Sequence, residues 1–125
     1  MEHTHQIWSD IDKRLKKQCS NTSFDECWVW MGVKTYKTCT IYGKMRARLP
    51  GDDKSKYYYI HRLSYMCHHQ QILNSKQFIS HLCHNSLCFN PAHLVIEDIS
   101  SNHLRKACRQ FGHCTGHHPE PRCIL

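Results

Sequence analysis

In residues 80–94, SHLCHNSLCFNPAHL, two cysteines and two histidines fall within one short stretch, His81-x-Cys83-x4-Cys88-x4-His93. Thiolate and imidazole are the ligands zinc prefers, and loops this short can converge them, so Cys83, Cys88 and His93 supply three parts of a tetrahedral site. His81 stands just outside that knot. Held by a rigid metal frame yet not needed as a ligand, its imidazole is free to act as a base.

At 125 residues the chain has the length of one domain. Its hydrophobic fraction of 40% includes nine cysteines, so the aliphatic core is thin and zinc or disulfides must staple it. An odd number of cysteines does not suit a fully paired disulfide framework, and the opening MEHTHQIWSDIDK contains no apolar secretory stretch. A reducing compartment, nucleus or cytoplasm, is therefore expected, with the thiols used for metal. No segment approaches the roughly 20 apolar residues of a membrane span. A formal charge of +7 favours a polyanionic partner, nucleic acid before membrane.

Residues 1–20 predict an amphipathic helix, with Ile7, Ile11 and Leu15 a turn apart and Lys13, Arg14, Lys16 and Lys17 mostly on the outer face. Such a basic run is ordinarily a solvated face, though it can also touch phosphate. Residues 27–62 predict a sheet. From Thr35 to Leu49 the period is two, placing Cys39, Ile41, Met45, Ala47 and Leu49 on one face and Tyr36, Thr38, Thr40, Tyr42, Lys44, Arg46 and Arg48 on the other. A hairpin or bent strand pair follows, with Gly43 at a bulge or bend. The polar face has rings and cations but no acid, a composition suited to a DNA groove. LPGDDKSK reads as a turn, KYYYI as a returning strand, and HRLSYMCHHQQIL as a helix burying Leu63, Met66 and Cys67.

The C-terminal zone has a second ligand set, Cys108-x5-Cys114-x2-His117-x5-Cys123, in which His118 could replace His117. Between the two sets, EDISSNHLRKAC predicts a helix capped by Asp98 or Ser100 and carrying Asn102. The carboxamide oxygen of Asn102 is a hard neutral ligand suited to Mg²⁺.

The order His81, zinc loop, helix, Asn102 resembles the His-Cys box nucleases of the His-Me finger (ββα-metal, HNH-like) superfamily, whose best-known members are homing endonucleases. The specific match lies in residues 80–108, and a looser likeness runs from Cys27 to Cys123. The resemblance implies an α+β fold: one small zinc-stabilised domain over residues 1–125, with an antiparallel DNA-facing sheet at 27–62. A ββα-metal core with the first zinc at 80–108 and a second zinc loop at 108–123 would complete it. It implies that the fourth ligand of the first zinc comes from far upstream, with Cys27 the first choice, Cys39 the second and Cys67 the third. Cys27 is favoured because a cysteine followed by tryptophans and a Tyr-Gly strand recurs in related nucleases. Both zincs would be structural, and Cys108, Cys114, His117 and Cys123 would hold the second.

The activity implied is metal-dependent cleavage of double-stranded DNA. His81 would act as general base on a water, and Asn102 would hold Mg²⁺ or Mn²⁺. An arginine of the upstream sheet, Arg46 or Arg48, would grip the scissile phosphate. The products would carry a 5′ phosphate and a 3′ hydroxyl. The homing enzymes have a long tail that embraces a second subunit, whereas this chain stops two residues after Cys123. A monomer or weak homodimer without a swapped tail is therefore expected. The competing class is a catalytically inactive, zinc-stabilised DNA-binding module, which would be expected to lose His81 or Asn102 first. Both are present.

Overall fold

Three helices and two antiparallel sheets make up the mixed α+β architecture of the computed structural model, which describes residues 2–19, 22–37, 40–116, 118 and 120–124. In chain order these are α1 (Glu2–Lys16), β1 (Lys34–Lys37), β2 (Thr40–Ala47), β3 (Lys56–Tyr59), α2 (Ile60–His69), β4 (Phe78–His81), a 3₁₀ turn (Pro91–His93), β5 (Leu94–Glu97) and α3 (Ile99–Phe111). The first sheet has the order β1-β2-β3, and β4 pairs with β5 alone.

Helix α1 buries Trp8, Ile11 and Leu15 on one stripe and packs on α2, which buries Leu63, Met66 and Cys67. The spacing of these apolar positions is that of a helix face, so both helices form where a common core lets them bury it. Between them and the sheets lie Trp28, Trp30 and Phe89, with both indoles edge-on to the phenyl ring. Gly43 is neither a bulge nor a bend. It pairs in regular register with Lys34, and a Cβ there would come within 2.4 Å of the Trp30 ring and 2.6 Å of Ile60. The glycine is needed for close approach of an indole to the strand.

The segment around Trp28 reaches across the chain. Trp30 N–H donates to the Leu87 carbonyl and Phe89 N–H to the Trp28 carbonyl, each at 2.9 Å, around a bridge between Val29 and Cys88. Asn90, fully buried, donates its side-chain amide to the carbonyls of Phe24 (3.0 Å) and Glu26 (2.7 Å). Cys27 is thereby carried to the zinc loop by backbone pairing on one side and an asparagine clamp on the other.

The β4–β5 hairpin and α3 follow as a unit. Leu82 N–H donates to the His93 carbonyl at 2.7 Å, closing the loop between the strands. Asp98 caps α3 by accepting from the Ser101 N–H at 2.8 Å. Arg105 of α3 and Glu97 of β5 form a buried ion pair, exposed by 2% and 5%, that ties the helix to the hairpin. No described helix is long and apolar enough to cross a membrane.

Candidate functional site

The sulfurs of Cys27, Cys83 and Cys88 and a ring nitrogen of His93 lie within 4.8 Å of one another. His93 Nδ1 is 3.7 Å from Cys27 Sγ and 3.6 Å from Cys88 Sγ. The hydrogen bond from Cys88, then smaller contacts, draws the Cys83 thiol down to about 5, while the Cys88 thiol is held well above its ordinary value by that same pairing. Burial, then the neighbouring Cys83, raises the Cys27 thiol. Without a cation only one sulfur of such a set ionises readily, because each thiolate opposes the next. A divalent ion removes that conflict, and three thiolates with one imidazole in tetrahedral reach are a zinc donor set. Cys67 is away from this cluster, buried in the core, with its thiol pushed up to about 12 by burial. Cys39, like Thr38, lies outside the described residues.

A second cluster unites Cys108, Cys114, His118 and Cys123, again within 4.8 Å. His118 Nε2 is 3.3 Å from Cys114 Sγ and 3.5 Å from Cys123 Sγ. A backbone hydrogen bond from Cys123 leads the effects that lower the Cys114 thiol to about 6, and burial leads those that raise Cys123 to about 11. The histidine that completes this set among the described residues is His118. His117 lies outside them. Both clusters can hold structural zinc.

His81 ends β4, and its ring is held beside the first cluster. Burial leads the effects that bring its imidazole down to about 4, against a hydrogen bond with the Cys88 backbone that favours the charged form. The ring is therefore neutral near pH 7. Its Nε2 is buried and has no hydrogen-bond partner among the described residues. Asn102, one turn into α3, donates its side-chain N–H to Ser80 Oγ at 2.8 Å. That bond commits the amide nitrogen and leaves the carbonyl oxygen as the group's remaining ligand atom.

His81 and Asn102 line one cleft of about 740 Å³. Lys37, Arg62, Lys106 and Arg109 also line it, so an anion entering meets several cations. Arg62 donates to the carbonyls of Gln77 (2.5 Å) and Asn74 (3.1 Å).

The alternating face of the sheet divides. Thr40 and Tyr42 line the His81 cleft, whereas Lys44 and Arg46 do not. Arg46 donates to Ser55 Oγ at 3.2 Å and stacks over Tyr57, and Arg48 donates to the Asp52 carbonyl at 3.0 Å. Neither arginine reaches the cleft of His81 and Asn102. The expected face also needs a correction at Tyr36. The register pairs Tyr36 with Ile41 and Lys37 with Thr40, so odd-numbered residues of β1 share a face with even-numbered residues of β2. Tyr36, 78% exposed, is thus on the face opposite Tyr42, and Lys37 takes its place.

Sequence reasoning missed His61. It sits at the start of α2, only 7% exposed, its ring stacked on Tyr42 and Tyr59 and 4.7 Å from that of His81. Burial, with His81 and Arg62 nearby, holds its imidazole well below the ordinary value. The only sequence signal was a histidine directly after an aromatic strand.

The family described as the zinc-binding loop region of homing endonuclease matches residues 26–124. The chain belongs to this family. No curated protein and no solved structure matches it.

Proposed function

We propose that the chain is a metal-dependent DNA endonuclease that hydrolyses phosphodiester bonds, with His81 as general base and Asn102 as the protein ligand of a catalytic Mg²⁺. The observation that carries this reading is the shared cleft. His81 and Asn102 line one cation-lined cavity, the imidazole neutral with its buried Nε2 unpartnered among the described residues and the amide fixed through its nitrogen, two residues from Cys83 of the first cluster. Membership of a homing-endonuclease family supports DNA as the substrate.

His81 Nε2 accepts a proton from water, whose oxygen attacks phosphorus, and the 3′ oxygen departs. A neutral imidazole carries one proton, so for Nε2 to act as acceptor that proton must sit on Nδ1. Lys37, Lys106 and Arg109 supply charge for the phosphate. When bound through Asn102, Mg²⁺ would supply electrostatic stabilisation of the charge that builds at phosphorus.

Cleavage of supercoiled plasmid with Mg²⁺, by the wild type and by His81→Ala, tests the reading. Wild-type protein is expected to nick, and the variant to be inactive while keeping its zinc and its DNA affinity. Asn102→Ala is expected to fail more mildly and to recover partly at higher Mg²⁺. Wild-type protein that binds DNA but does not cut would belong instead to the class of zinc-stabilised binding modules.

A further inference from the structure

We propose that a second cleft, between the end of α1 and strand β2, is a phosphate-binding anchor for the DNA backbone, separate from the cleft of His81 and Asn102. It has a volume of about 380 Å³, and its cations are Arg14, Lys17, Lys44 and Arg46. No carboxylate among the described residues lines it. Asp12, the acid nearest on the same helix, is turned to Lys16 at 3.0 Å. Four like charges around one depression repel one another, and an anion between them relieves that repulsion.

The geometry is built rather than incidental. Strand β1 pairs with β2 as far as Gly43 and the Lys44 N–H still donates to the Val33 carbonyl at 3.0 Å, so the edge of β2 is open on that side only from Met45 to Ala47. Arg14 closes it, donating from Nη2 to the Arg46 carbonyl at 2.7 Å, and so fastens the basic end of α1 beside the basic face of the strand. Tyr57, 54% exposed, lies under both Lys44 Nζ (4.6 Å) and the Arg46 guanidinium (5.3 Å), which holds these long side chains over the sheet. Lys17 is exposed at the rim.

The two clefts share one strand. Tyr42 lines the first and Arg46 the second, and four residues of strand span ~13 Å. That is the rise of about four base pairs along a duplex axis, at roughly 3.4 Å each. A duplex lying with its axis along β2 therefore spans both clefts at once. The identity of the anion as DNA rests on the endonuclease reading above.

Binding of a short DNA duplex in EDTA, measured over a range of salt, tests the anchor. Lys17→Gln and Arg14→Gln are each expected to weaken binding severalfold at low salt and to lower the log–log salt slope by about 0.9 per lost contact. Lys13→Gln, on the same helix but outside the cleft, is expected to leave both unchanged. Wild-type affinity and slope in Lys17→Gln, or an equal loss in Lys13→Gln, would overturn the anchor. Among the described residues Lys17 bonds only through its backbone, its N–H to the Lys13 carbonyl, so its result stands even if Arg14→Gln is unstable. Wild-type protein that cuts plasmid while Lys17→Gln binds normally sinks the anchor alone. Protein that loses affinity in Lys17→Gln but never cuts sinks the nuclease reading alone.

Discussion

The rings of His61 and His81 lie with centroids 4.7 Å apart, and each keeps one buried nitrogen, Nδ1 of His61 and Nε2 of His81, without a hydrogen-bond partner among the described residues. A buried polar atom left unpaired costs about 1–3 kcal/mol, so the pair is a local weakness of the fold placed beside the proposed reaction centre. His61→Phe keeps a ring against His81 and removes the orphaned nitrogen. It is expected to hold or raise the melting temperature while lowering the cleavage rate. A variant that is less stable yet fully active would show that His61 serves packing alone.

Zinc content is expected to be close to two ions per chain, one for each cluster. Cys83→Ser should prevent stable folding, because zinc binding and folding share one free energy, roughly 10–16 kcal/mol for small structural sites. His118→Ala should release one ion, as its Nε2 sits between Cys114 and Cys123. Metal analysis of the purified variants, with circular dichroism, checks both statements. Full zinc retention in His118→Ala would move the ligand role to another residue.

Arg46 and Arg48 are expected to separate in a binding assay. Arg46 lines the α1 cleft and Arg48 does not, so Arg46→Ala should weaken duplex binding and flatten its salt dependence. Arg48→Ala should bind as the wild type does. Neither lines the His81 cleft, so neither should lower the rate at saturating DNA. A fall in turnover with either one would place it on the scissile phosphate after all.

Arg105→Ala leaves Glu97 buried without its partner, since the two are exposed by only 2% and 5%. Breaking such a pair from one side destabilises by about 3–5 kcal/mol. The expected result is a large drop in urea midpoint, with Glu97→Gln milder because its amide oxygen can still accept from the Arg105 guanidinium. Equal stability of Arg105→Ala and wild type would contradict the buried pair.

The metal clusters were legible in the sequence because ligand chemistry restricts residue type and loop length restricts spacing. Cys27 needed the family resemblance, and the structure supplies the cause in the Trp28–Phe89 pairing and the Asn90 clamp. The helices were legible from Ile7, Ile11 and Leu15 and from Leu63, Met66 and Cys67, whose period records a buried face. The sheet face was legible only in part. Alternation runs reliably along one strand, but the hairpin register decides which face a neighbouring strand joins, and that reversed Tyr36 and Lys37. His61 and Arg105 were hidden for another reason. A polar residue in the interior is placed by tertiary neighbours, and periodicity carries no trace of them.

The clamp that brings Cys27 to Cys83, Cys88 and His93 also sets an order of assembly. Three ligands of the first cluster come from one short loop, while the fourth lies 56 residues upstream of Cys83, and closing so long a loop is slow. A zinc ion captured by the loop alone would have three protein ligands and an exchangeable fourth position until Cys27 docks. The second cluster, drawn wholly from residues 108–123, has no such wait. Zinc binding at the second cluster would therefore be a local event, whereas at the first it would be completed only when tertiary folding brings Cys27 in.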